Sequence, residues 1–137
     1  MQPDPRAEGV RWLEQSRRDL DDARYARDGD RHNLACFLAQ QAAEKALEAF
    51  LVLRGSEAIR GHSVADLCDE AGRLDPAFVD LKPGVAGLDL YYIPTRYPNG
   101  LPGGLPADAF DAGQSDRAID QAGSAIRTVA ATFEGEG

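Results

Sequence analysis

The chain has 137 residues, 43% hydrophobic and 28% charged, which suits one domain around one core over positions 1–137, ordered from about residue 7 to 133, with no room for a separate catalytic domain. Its formal net charge of −8 opposes broad attraction to phosphate backbones, so RNA is disfavoured as a partner while a local basic pocket stays open. The N-terminal run MQPDPRAEGVRWLEQ carries charge every few residues, and no stretch approaches the length that spans a bilayer, so the expectation is a cytoplasmic protein with no membrane contact.

From about Ala7 to Arg27, Val10, Leu13, Leu20 and Ala23 recur at helical spacing, while Arg17, Arg18, Asp19, Asp21 and Asp22 fall outside that stripe and read as a solvated face. Trp12 stands beside the stripe, in the core or at the rim of a dimer interface. Asp28-Gly29 is turn chemistry, and Asp30 is placed to cap a second helix. That helix, Arg31 to about Arg54, is rich in Ala and Leu and lacks Gly and Pro until Gly55 stops it. Ser63 with Asp66 resembles a capping box for a short helix through about Arg73, and Asp75-Pro76 opens another. A helix is expected after Pro83 as far as Tyr92, then an extended or looped stretch from Pro94 to Pro106. Within it NGLPGGLP reads as a linker, since it lacks the Lys-Ser/Thr ending of a phosphate-binding loop. The last helix is expected from about Asp108 to Phe133, followed by a disordered EGEG. No alternating strand pattern occurs, so the fold class is all-α.

Cys36 and Cys68 lie in apolar helical contexts and read as small buried hydrophobes; with no CxxC and no Cys/His cluster, neither a metal nor a cofactor is expected. The second helix holds a conflict. Apolar side chains cover most of its circumference, yet Gln40, Gln41, Glu44, Lys45 and Glu48 share one arc of roughly 140°. That stripe is either a solvent-facing edge or the lining of a cleft or subunit interface, where its carboxylates and ammonium must find partners.

The other unusual stretch is YYIPTRYPNG, with Tyr91, Tyr92 and Tyr97 around Arg96 between Pro94 and Pro98. Arginine offers a planar fork of donors for phosphate or carboxylate, and tyrosine rings stack on a base or on the guanidinium. Arg96 therefore either binds an anion opposite Gln41, Glu44 and Lys45, with Tyr92 or Tyr97 as a wall, or clasps Glu44 or Glu48 as an internal pair; a protein-partner contact is the third reading. His62, in GHSV just before a helix cap, is a further candidate for ligand or partner binding, or a backbone-bonded side chain.

FLAQQAAEKALEAFLVLRG, then GHSVADL, then LYYIPTRYPNG, in that order, resembles the prokaryotic HEPN domain family, the higher-eukaryote and prokaryote nucleotide-binding fold. The resemblance covers nearly the whole chain and implies an up-and-down bundle of four to five helices, a homodimer, a nucleotide ligand and a small nucleotidyltransferase partner in a two-component, toxin–antitoxin-like module. Ribonuclease members of the family carry a histidine after an arginine with four to six residues between. With Arg96 as that arginine the histidine falls at Leu101, Pro102 or Gly103, so the ribonuclease motif is absent. The expectation is a non-catalytic subunit with no catalytic residue; the alternative is a ribonuclease toxin with a departed active site.

Overall fold

The computed structural model describes residues 4–56 and 63–135. Among them no strand occurs, and the helices run α1 (Pro5–Asp28), α2 (His32–Leu53), α3 (Val64–Gly72), α4 (Ala77–Val85), α5 (Pro106–Ala109) and α6 (Ala112–Gly135). The all-α, up-and-down bundle is the observed architecture, and α5 is a single turn within it.

α2 lies at the centre because its sequence lets neighbours come close. Ala35, Ala39, Ala42, Ala43, Ala46 and Ala49 are all fully buried, and such small side chains allow α1, α3 and α6 to pack against different sides of the same helix. Larger groups fill the ends of the core: Phe50 meets Phe78 of α4 with ring centroids 4.4 Å apart and is buried with Leu47, Leu51 and Leu67. Gly55 closes α2 in a left-handed conformation, φ 93°, which a residue with a Cβ would strain to adopt.

Four local expectations change. Asp30 does not cap α2; it occupies the turn at φ 60°, and the cap position falls to Arg31 with no side-chain bond. Asp tolerates that left-handed turn better than most residues, which frees it from the cap. Pro83 sits inside α4 instead of starting a helix, on an exposed turn near its end, where a missing N–H breaks only one backbone bond. The chain then continues as a 3-10 helix over Ala86–Tyr91. The last helix is interrupted at Phe110, which is extended, because Asp111 caps α6: its Oδ1 accepts from the Gln114 N–H at 2.8 Å while Gln114 Oε1 accepts from the Asp111 N–H at 2.9 Å. α6 also runs on through Glu134 and Gly135, into the tail expected to be disordered.

Ser63 does cap α3, accepting from the Asp66 N–H at 3.0 Å, and Asp89 completes that helix end by accepting from the N–H groups of Val64 and Ala65. Among the described residues no helix is long and apolar enough to cross a membrane.

Both cysteines are buried, and burial pushes each thiol from 9.0 up to about 12. The folded values lie above the unfolded ones, so the stability they contribute is complete below about pH 9 and drains away as pH rises toward about 12. At pH 8 the buried thiols hold their protons, and Ellman's reagent should label neither Cys36 nor Cys68 until denaturant is added. Rapid labelling of the native protein at that pH would contradict this burial.

Candidate functional site

The YYIPTRYPNG turn is built by short-range bonds that proline spacing permits. The Ile93 carbonyl accepts from the N–H groups of Arg96 and Tyr97, each at 3.1 Å, closing a helical turn between Pro94 and Pro98. Thr95 is buried beneath it and donates its hydroxyl to the Tyr91 carbonyl at 2.5 Å. Asn33, near the start of α2, donates to the Thr95 carbonyl at 3.0 Å and so ties the turn to the central helix. The first part of the expected linker is packed as well. Pro98–Gly100 forms a 3-10 turn folded back on Pro94, and a Cβ on Gly100 would stand 3.0 Å from the Pro94 Cα.

Arg96 projects from this turn into solvent. Its Nε and Nη2 both donate to the Tyr92 carbonyl, at 2.9 and 2.7 Å, which fixes the plane of the guanidinium. Its Cζ lies 4.3 Å from the Phe37 ring centroid, 4.7 Å from that of Tyr92 and 5.0 Å from that of Tyr97. Three rings around one cation are worth about 1–2 kcal/mol at an exposed site, enough to hold a rotamer. The clasp with Glu44 or Glu48, one of the three readings of Arg96, is not made: among the described residues Arg96 has no carboxylate partner. Its Nη1 edge faces away from the carbonyl it grips.

The α2 stripe divides into two groups. Gln41 and Glu44 stay together, with Gln41 donating to Glu44 at 3.1 Å and to Gln40 at 2.8 Å, and Gln41 follows Phe37 by one helical turn. Lys45 belongs elsewhere. Its Nζ donates to Asp19 of α1 at 2.6 Å, and Gln15 donates to the other Asp19 oxygen at 2.9 Å. Asp19, expected on a solvated face, is therefore buried and paired. Arg96, Tyr92 and Tyr97 form one cluster, joined by Phe37, Asn33 and Thr95, whose part in it follows from packing and not from spacing along the chain. His62 lies outside the described residues.

Beside the turn, Ser63, Asp89, Leu90, Tyr92, Ile93 and Pro94 line a shallow cavity of about 450 Å³. Burial raises the Tyr91 hydroxyl above its ordinary value, so it holds its proton at neutral pH and is poorly suited to act as a base. No group of three or more His, Cys, Asp or Glu side chains that could hold a metal occurs among the described residues.

The model of the HEPN domain matches residues 10–132. The chain belongs to the HEPN domain family. Solved structures agree with that assignment. TT1696 from Thermus thermophilus is 37% identical, with 89% of this HEPN chain and 95% of that protein covered and a TM-score of 0.84. ST0689, described as an archaeal HEPN homologue, is 35% identical over 91% of this chain and 97% of its own, with a TM-score of 0.76. The HEPN domain protein tm0613 of Thermotoga maritima is 25% identical, covers 90% and 98% respectively, and superposes with a TM-score of 0.71. Among curated proteins nothing matches.

The Asp19–Lys45 pair gives a direct test of how this HEPN chain holds α1 to α2. Lys45→Ala leaves the Asp19 carboxylate buried without its ammonium. Lys45 is 28% exposed, which sets the cost below that of a fully enclosed pair, at about 2 kcal/mol. The melting temperature should fall by about 5–10 °C, while Lys45→Arg should lose less than half as much. An unchanged melting temperature in Lys45→Ala would show the pair to be dispensable.

Proposed function

We propose that this HEPN chain is a non-catalytic subunit that binds the anionic group of a nucleotide at Arg96, with the rings of Tyr92 and Tyr97 as stacking surface for its base. One observation carries the proposal. Arg96 is exposed, is locked in place by rings and by a backbone carbonyl, and has no carboxylate partner among the described residues. A guanidinium held so loses little side-chain freedom when a phosphate arrives and presents donors in the planar geometry that phosphate accepts. The cavity of about 450 Å³ shares Tyr92 with this cluster, but its wall is made by Ser63, Asp89, Leu90, Ile93 and Pro94 and does not include Arg96.

The non-catalytic half rests on chemistry. Transfer of a proton to and from a ribose hydroxyl needs a group whose pKa lies near neutrality. No histidine follows Arg96 at the ribonuclease spacing. His32, the histidine among the described residues, contacts the Ser115 hydroxyl at 2.9 Å through Nδ1, and that hydroxyl also donates to the Ala112 carbonyl within α6. His32 is thus part of the joint between α2 and α6. The proposal also takes the subunit to work as a homodimer and keeps a small nucleotidyltransferase as its protein partner, as the family resemblance implies.

Calorimetric titration with adenosine and guanosine nucleotides tests the site. Arg96→Lys keeps the charge but loses the fork and should weaken binding by about tenfold or more, with the melting temperature lowered by no more than about 5 °C. The same protein should leave mixed RNA intact. No nucleotide binding by the wild type, or RNA cleavage that disappears in Arg96→Ala, would overturn the proposal.

A further inference from the structure

One buried carboxylate fixes the direction of the side-chain amides on α2. Glu44 is buried, and its Oε2 accepts from Gln40 Nε2 at 3.2 Å and from Gln41 Nε2 at 3.1 Å. Gln41 Nε2 also donates to Gln40 Oε1 at 2.8 Å. A carboxylate offers acceptors only, so both amide nitrogens must turn toward it. Turning the Gln41 amide over would set its oxygen against Glu44 and against the Gln40 oxygen, with no proton between them. Both N–H groups of Gln41 are thereby taken up within α2. Its Oε1 accepts from no N–H or O–H among the described residues, and on a half-buried side chain it reaches solvent.

Gln41 also stands beside the Arg96 cluster. It follows Phe37 by one turn of α2, a spacing at which Cβ atoms lie about 5–6 Å apart, and side chains on a helix lean toward its N-terminus, here toward Phe37. Arg96 Cζ lies 4.3 Å from the centroid of the Phe37 ring, and the Phe37 and Tyr92 centroids are 6.2 Å apart. In that cluster Arg96 can only donate and Phe37 does neither. Gln41 Oε1 therefore supplies a fixed acceptor at the edge of the rings.

We infer that Gln41 selects the base: with its phosphate on Arg96, the favoured nucleotide carries an exocyclic amine, as adenine and cytosine do, and one with a carbonyl at the same ring position, as in hypoxanthine and uracil, is rejected. This rests on the nucleotide site proposed above and names its ligand class. The amine donates to Gln41 Oε1. A carbonyl in its place sets oxygen against oxygen, and Glu44 prevents the amide from turning to offer its nitrogen instead. Glu44 is thus a positioning residue, acting on the ligand through Gln41.

Calorimetric titration of the full chain with AMP, IMP and AMP methylated twice on its exocyclic amine tests the selection. The three share ribose, phosphate and purine ring, and differ in presenting an N–H donor, a carbonyl or an amine with no proton. The wild type should bind AMP about tenfold or more tightly than either of the others, because a site that bonds a particular N–H discriminates against analogues lacking it. Gln41→Ala should bring the three affinities within about threefold of one another. Glu44→Gln, which frees the amide of Gln41 to turn, should narrow the gap between AMP and IMP although Gln41 is intact. A merely structural role for either residue would lower all three affinities together and leave their ratios unchanged, which would contradict the inference. A wild type that binds AMP and IMP equally while Arg96→Lys weakens both, or Gln41→Ala that keeps the full preference for AMP, would overturn the selection and leave the site standing. Binding of no nucleotide at all would remove the site and the selection together.

Discussion

The fold depends on one constraint: a central helix with almost no solvent-facing side must give each of its polar side chains a bonding partner, on another element or, as Gln41 finds in Gln40 and Glu44, within the helix itself. α2 meets it in several directions. Lys45 reaches Asp19 of α1, His32 contacts Ser115 of α6, and Asn33 donates to the backbone of the turn that carries Arg96. Leaving any of these groups buried and unbonded costs on the order of 1–3 kcal/mol, whereas apolar contacts alone would let the neighbours slide. The alanine-rich surface of α2 supplies close approach and its polar side chains supply register.

That division of labour explains the character of the Arg96 turn. Thr95 faces inward and is bonded at both its hydroxyl and its carbonyl, so the anchoring of the turn does not fall to its charged neighbour. Arg96 is then held by rings and by the Tyr92 carbonyl, neither of which neutralises it. A cation kept in position without a counter-charge is what an anion site requires, while the chain's net charge of −8 opposes such attraction over most of its surface. As the ligand of the proposed site, a mononucleotide suits a single cation better than a long phosphate backbone, whose binding rewards many cations spread over a surface.

Much of this was legible in the residues. Apolar periodicity gave the long helices, and the order of three segments along the chain gave the family. The burial of Asp19 is not legible because a helical wheel gives the direction of a side chain and not what waits across the gap; its place at the edge of the stripe, one turn from Gln15, is the available sign. The break before α6 was hidden by Phe110, which continues the apolar stripe, although Asp111 and Gln114 already had capping-box spacing. Pro83 misled because a proline near a helix end, on an exposed turn, costs little. For Arg96 the neighbouring rings Tyr92 and Tyr97 could be read from the chain, but the choice between a carboxylate clasp and an open cation turned on Phe37, a contact that only the packing of the turn on α2 creates.

The central claim is that Arg96 is a preorganised cation whose outer edge meets a phosphate. It is tested most directly by following the Arg96 Nε–Hε resonance in ¹⁵N–¹H correlation spectra as a nucleotide is added. The account predicts a saturable shift of that resonance, accompanied by shifts in the ring signals of Phe37, Tyr92 and Tyr97. A nucleotide that binds while these signals stay fixed, or no saturable change at any concentration up to the millimolar range, would contradict it.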